Sequence, residues 1–147
     1  MFDSVDELLA SHASAGGRGT DEQDVRKAES VIGNFPSDYR LFLLEYGWLS
    51  IEHLEIFGLG DDAPEYLNVV RMTQLERAEP ASPLPSSFVS VMNDGAGNLL
   101  CFDSSEISSS GTSRIYLWDH ELGQNQRPEA LADSFESWLT RLLEVEL

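Results

Sequence analysis

The sequence has little cysteine, little positive charge and no long apolar run. Cys101 is the only cysteine among 147 residues, so neither an internal disulfide nor a thiolate zinc site can form. Only nine residues are Lys or Arg, against 26 that are Asp or Glu, and the net charge is −17. This charge disfavours direct binding to nucleic acid or to an anionic membrane surface, because phosphate groups would be repelled. A basic protein partner would instead be attracted.

Signals for secretion and membrane insertion are also lacking. The apolar runs are far shorter than the ~20 residues of a spanning helix. The sequence opens with Met1-Phe2-Asp3-Ser4, whose acid stands where a signal peptide has bases. With a single cysteine, these features predict a cytoplasmic protein. The length predicts one domain over residues 1–147, and we favour a monomer.

Motifs for catalysis are sparse. Gly95-Ala96-Gly97 lacks the third glycine of a dinucleotide-binding fingerprint, and Walker A and HExxH motifs are absent from the sequence. Asp119-His120-Glu121 is the most metal-like cluster, with a solvated strand end as the favoured alternative. Asp94 and Asp103 could act as an acid–base pair, but shaping a turn and ending a strand is the favoured interpretation. We therefore expect a non-catalytic protein with no metal and no cofactor.

Hydrophobic periodicity predicts helices at both ends of the chain and strands between them. Helices are expected at residues 4–12, 21–32, 36–46, 66–78 and from Ser134 onward. Strands are expected within 48–59 and at 88–92, 99–102 and 114–119. The intervening segments 14–19 and 120–128 are expected to be loops. This order predicts an α+β fold.

Three separated signatures resemble one family. The first is Phe35-Pro36-Ser37-Asp38-Tyr39-Arg40-Leu41-Phe42-Leu43, followed by Tyr46-Gly47. The second is the hairpin sequence Asn93-Asp94-Gly95-Ala96-Gly97-Asn98, leading into Leu100-Cys101-Phe102-Asp103. The third is Ile115-Tyr116-Leu117-Trp118-Asp119-His120, followed by Ser134-Phe135-Glu136-Ser137-Trp138-Leu139. In this order they resemble the SUKH superfamily of Smi/Knr-type proteins over about residues 21–143. An N-terminal helix and loop at 1–19 lie outside the resemblance.

This resemblance implies both a fold and a way of acting. The implied fold is a single α+β domain, in which a mixed or antiparallel sheet of about five to six strands packs against N-terminal, middle and C-terminal helices. Bacterial members resemble immunity proteins that bind and neutralise toxin domains, many of them basic nucleases. We therefore expect an immunity protein that occludes the active site, or a nearby surface, of a cognate toxin. A regulatory scaffold of the Smi/Knr type is the alternative.

The expected contact surface is acidic, with aromatic side chains beside it. Its residues are Glu52, Glu55, Asp61, Asp62 and Glu65, together with Asp94, Asp119 and Glu121. Trp48 and Tyr66 are the expected aromatic anchors. For each acid the alternative is a solvated surface charge, and for each aromatic residue it is a position in the core.

Overall fold

Helices enclose two antiparallel sheets in a computed structural model that describes residues 2–12 and 14–147. The helices are α1 (Asp3–Ser11), α2 (Glu22–Ile32), α3 (Ser37–Glu45), α4 (Val69–Arg77) and α5 (Phe135–Glu146). The strands are β1 (Ser14–Gly16), β2 (Leu49–Ile51), β3 (Leu54–Ile56), β4 (Phe88–Asn93), β5 (Asn98–Asp103), β6 (Ile115–Asp119) and β7 (Glu129–Ala132). The predicted α+β class is confirmed.

The strands are divided between two sheets, and this corrects the expectation of one sheet of five to six strands. The first sheet has the order β1-β2-β3 and the second the order β4-β5-β6-β7. A backbone bond joins their neighbouring edges, from Phe57 N to the Val91 oxygen at 2.8 Å. The next residue, Gly58, forms an isolated bridge with Asn68, just before α4. The segment after β3 therefore turns away from β4 after the Phe57 bond.

One strand, β1, lies in the segment 14–19 that was expected to be a loop, and another, β7, lies at Glu129–Ala132, where no element was expected. β1 pairs with β2, with Gly16 opposite Leu49, although its glycine-rich sequence predicts a loop. β7 pairs with β6 but has a register shift between Ile115 and Tyr116, which removes the regular alternation of a strand pattern. Positions 1 and 13 of the expected N-terminal helix and loop lie outside the described residues.

Side-chain caps fix where several helices begin. Asp21 caps α2 by accepting a bond from Asp24 N at 2.8 Å, and Ser134 caps α5 through Ser137 N at 3.1 Å. Helix α1 begins at Asp3, one residue before the expected start, and its first turn has no side-chain cap. Asn68 caps α4 and takes an extended conformation, so the helix expected at 66–78 is divided into a 3₁₀ turn and α4.

Aromatic rings make up the centre of the main core. Tyr39 and Phe42 of α3 are fully buried, and both contact Phe135 of α5, at ring-centroid distances of 4.9 and 5.2 Å. Phe102 of β5 lies 5.5 Å from Tyr39. The buried Tyr39 hydroxyl donates to the Phe57 oxygen at 2.8 Å, so its polar group is satisfied. This cluster joins α3 and α5 to both sheets.

Asp38 ties the N-termini of two helices together. Its carboxylate accepts Tyr39 N in α3 and Glu136 N in α5, both at 2.9 Å, although the residue is only 3% exposed. Negative charge at helix N-termini is stabilising because unpaired N–H groups point there. Burial nevertheless raises the pKa of this carboxyl above its usual range, since desolvation outweighs the backbone bonds.

We expect Asp38→Asn to change the pH dependence of stability in a defined direction. Folding raises the pKa of Asp38. The folded state therefore keeps the carboxyl proton at pH values where an unfolded Asp, with a pKa of about 4, has lost it. The stability that this proton linkage contributes is present below the unfolded pKa and is lost as pH rises through the folded pKa. Urea denaturation of both proteins should be measured from pH 3 upward in steps of about half a pH unit. As pH rises, the free energy of unfolding of wild type should fall relative to that of Asp38→Asn. A constant difference would contradict this.

A close contact between two backbone segments explains one glycine. A Cβ at Gly58 would overlap the carbonyl oxygen of Gly47, which accepts Leu59 N at 2.8 Å. At Gly95 a Cβ would meet nothing within 4 Å, but the backbone has φ +83°. Gly58 is therefore required because there is no room for a Cβ, and Gly95 is favoured because its backbone is left-handed.

We predict that Gly58→Ala lowers the free energy of unfolding by about 3 kcal/mol, because backbone must move to admit a methyl group. Gly95→Ala serves as the matched control and should lower it by only about 1–2 kcal/mol, from left-handed strain. Chemical denaturation measures both. Equal losses in the two variants would show that the Gly47 contact is not the constraint.

Candidate functional site

A groove of about 370 Å³ lies where β3, the β4–β5 hairpin and the end of α5 meet. Its floor is a row of apolar side chains across the second sheet. Leu100 is the register partner of both Met92 and Leu117, so the three share one face. Leu131 of β7 continues this lining. The floor is apolar because β5 and β6 carry leucines where the sheet turns this face toward α5.

Helix α5 forms one wall of the groove and leads into a second hollow. Trp138 and Leu142 line the groove together with Leu54 of β3. The second hollow, about 230 Å³, shares Trp138 and Leu142 and adds Val145, which is 75% exposed. Arg141 lines this second hollow. Apolar surface therefore continues from the sheet onto the outer face of α5.

Acidic side chains stand at the rim of the groove. Glu55 is exposed between buried Leu54 and Ile56, as strand alternation requires. Asp94 lines the groove from the hairpin turn, and Glu146 from the end of α5. His53 Nε2 lies 3.1 Å from Glu146 Oε2. Among the described residues that line the groove, none is Lys or Arg.

Asp94 also organises the hairpin turn. Its Oδ1 accepts Ala96 N at 2.8 Å and Asn98 N at 3.0 Å, and its Oδ2 accepts Asn98 Nδ2 at 3.0 Å. Asp103 lies at the other end of β5, where it accepts bonds from Ser105. Six strand residues separate these ends by about 17 Å. The acid–base alternative therefore fails, and the turn and strand-end interpretation is supported.

The Asp119-His120-Glu121 cluster forms a turn at the end of β6. Asp119 Oδ1 accepts Glu121 N at 2.9 Å, which uses one carboxylate oxygen within the turn. The His120 ring lies against Gly97, where an added Cβ would overlap it. Within residues 2–12 and 14–147, no group of three or more His, Cys, Asp or Glu is arranged to hold a metal ion. Asp119 is the register partner of Asn98, so it lies at the same end of the sheet as Asp94.

Trp48 and the predicted residues between β3 and α4 lie apart from the groove lining. Trp48 is only 8% exposed, and its Nε1 donates to Asp62 Oδ1 at 3.1 Å. Trp48 is therefore not available as the expected aromatic anchor. Tyr66 is 59% exposed. Asp61 lines a different hollow, and Glu65 lies 3.8 Å from Arg71.

The structure thus brings two of the ten predicted residues into the groove and adds two that sequence reasoning missed. Glu55 and Asp94 line it, while Glu52 occupies the β2–β3 turn with φ 52°. Glu146 and His53 were missed. One signal could have indicated Glu146: α5 ends in acids without any base in its last turn, which is unfavourable beside a helix C-terminus.

A comparison with protein families identifies the family of this chain. A family model described as SUKH_5, SMI1-KNR4 cell-wall, matches residues 1–144. This chain belongs to the SUKH family. The match begins at residue 1, so residues 1–19 of this SUKH chain lie within it, contrary to the expectation from the motifs. No curated protein matches the chain.

Membership of the SUKH family supports a protein of the immunity or Smi/Knr type, which acts by binding a protein partner. Burial raises the pKa of the Cys101 thiol of this SUKH chain well above its usual range, which disfavours a thiolate at this position. In the described part of the chain, no helix has both the length and the apolar character needed to cross a bilayer.

We predict that Asp94→Ala destabilises this SUKH domain by about 1 kcal/mol, because the turn loses a carboxylate that accepts three bonds. Thermal denaturation measures the change. Asp61→Ala is the matched control, since Asp61 is an exposed loop acid and should change stability by less than about 0.5 kcal/mol. An Asp94→Ala protein as stable as wild type would show that the turn forms without the Asp94 bonds.

Proposed function

We propose that this chain is a cytoplasmic immunity protein that binds and neutralises a cognate toxin. The observation that carries the proposal is the apolar groove with Glu55, Asp94 and Glu146 at its rim, in a SUKH chain with a net charge of −17. A surface of this kind suits a basic protein, and nucleases are basic because they bind phosphates. Inhibition needs no chemistry from this chain, since a bound protein can cover an active site.

Electrostatic steering gives the charge a role in this function. A complementary pair of charged proteins associates faster than a neutral pair, and salt weakens the effect. Fast capture matters for an inhibitor, because the toxin acts until it is bound. Exposed acids outside the groove, such as Glu52, Asp61 and Glu121, contribute to this field, and Tyr66 remains a predicted contact.

A regulatory scaffold is the second candidate function. The matching family model carries the description SMI1-KNR4 cell-wall, which favours a Smi/Knr-type role. Such a protein would also bind through an exposed surface and would need no catalytic residues. Its partner would be a cellular client and not a toxin.

Co-expression with the toxin domain encoded beside this chain tests the proposal. We expect the chain to restore growth of cells that make the toxin and to co-purify with it at low salt. Raising the salt concentration should slow association, because the partners attract through exposed charges. An unrelated nuclease toxin is the control and should still kill the cells. Failure of both rescue and co-purification would reject immunity, and recovery of a housekeeping client would favour the scaffold.

A further inference from the structure

We infer that the groove receives a basic amphipathic helix of the partner, with apolar side chains on the floor and Lys or Arg side chains at Glu55 and Glu146. This inference rests on the proposed function and specifies the surface that it uses. The occupant is identified by the chemistry of the floor, the charge of the rim and the shape of the strand edge.

The floor of the groove and its continuation along α5 form an apolar stripe. Met92 and Leu100 are at least 93% buried, while Leu117 and Leu131 of the neighbouring strands are only partly covered. Val145 leaves three-quarters of its surface open on the adjoining helix face. Covering this stripe removes apolar surface from water at about 25 cal/mol per Å². A partner therefore has to supply apolar side chains.

The last turn of α5 concentrates negative charge beside the groove. A helix C-terminus carries partial negative charge, which favours a cation. Here the last turn holds Glu144 and Glu146 and no base, and Glu55 and Asp94 face the same groove. His53 is the one partner that Glu146 has among the described ion pairs. A Lys or Arg from outside would relieve this concentration of negative charge.

The same charges disfavour a second copy of this chain as the occupant, since two acidic rims would repel each other. Addition of a strand is disfavoured as well. β7 forms an edge of its sheet, but it has four residues and a shifted register, and such an edge is a poor template for pairing. A helix needs no strand edge, and it can pack beside α5 with its apolar face on the floor.

A fluorescent peptide made of leucine and lysine, patterned as an amphipathic helix, tests the inference directly. We expect saturable binding by fluorescence anisotropy and a helical signal on binding. The double variant Glu55→Lys/Glu146→Lys should weaken binding about tenfold. Glu45→Lys/Glu79→Lys changes the net charge equally at exposed positions outside the groove, so it should weaken binding by less than about twofold at physiological salt. Val145→Gln should also weaken binding, because it removes exposed apolar surface.

Several results would overturn the inference. They are absence of saturable binding, equal weakening by the two double variants, or equal binding of a peptide with glutamate in place of lysine. A dimer that occupies the groove, seen by light scattering and amide shifts, would also overturn it. Melting curves verify folding, and Glu55→Gln/Glu146→Gln replaces the lysine variant if that variant unfolds.

The peptide result and the toxin result are separable. Peptide binding at the groove, with neither rescue from the toxin nor co-purification with it, would reject immunity and leave the groove assignment intact. Rescue by Glu55→Lys/Glu146→Lys at wild-type strength would leave immunity intact and overturn the groove assignment.

Discussion

The segment Phe57-Gly58-Leu59 is the constraint on which the remaining structure depends. The Phe57 oxygen accepts the Tyr39 hydroxyl at 2.8 Å, and Phe57 N donates to Val91 at 2.8 Å, so one residue joins α3 to β4. Gly58 donates to Leu67 at 2.8 Å and accepts from Val69 at 2.9 Å, while Leu59 N donates to Gly47 at 2.8 Å. The backbone of these three residues makes five hydrogen bonds, four with other backbone groups and one with the Tyr39 side chain, and these bonds fix where β3 ends. They therefore fix how far Glu55 stands from the hairpin that carries Asp94.

Sequence signals predicted the parts of the fold that are decided locally. Asp21 and Gly33 bound α2 as their cap chemistry requires, and Asp94-Gly95 indicated the hairpin. The misses needed information from distant partners. β1 is a strand because β2 lies beside it, and β7 is recognisable only by its pairing with β6. Local propensity cannot predict such pairings, because the stabilising bonds come from other parts of the chain.

The candidate site was predictable in composition and not in position. Acidity follows from counting residues, but Glu55, Asp94 and Glu146 belong to a strand, a turn and a helix end that meet only after folding. Trp48 shows the opposite error, because an aromatic residue beside acids suggested an anchor and its ring is instead buried against Asp62. Whether an aromatic side chain is buried depends on what packs over it. Tyr66, in the 3₁₀ turn before α4, is exposed although it also lies among acids.

Two of the nine basic side chains make structural bonds away from the groove. Arg40 pairs with both Glu22 and Glu29 of α2, so one guanidinium is shared between two carboxylates. The Arg77 guanidinium donates to two backbone oxygens, of Ile32 and Phe88, at 2.6 and 2.9 Å, and so serves the core. These two bases are held by other partners, and Arg141, which lines the adjoining hollow with Glu146, forms no ion pair with it among the described residues. An acidic helix end is unfavourable by about 0.3–1 kcal/mol for each charge. A basic partner that offsets this unfavourable interaction on binding gains affinity from it.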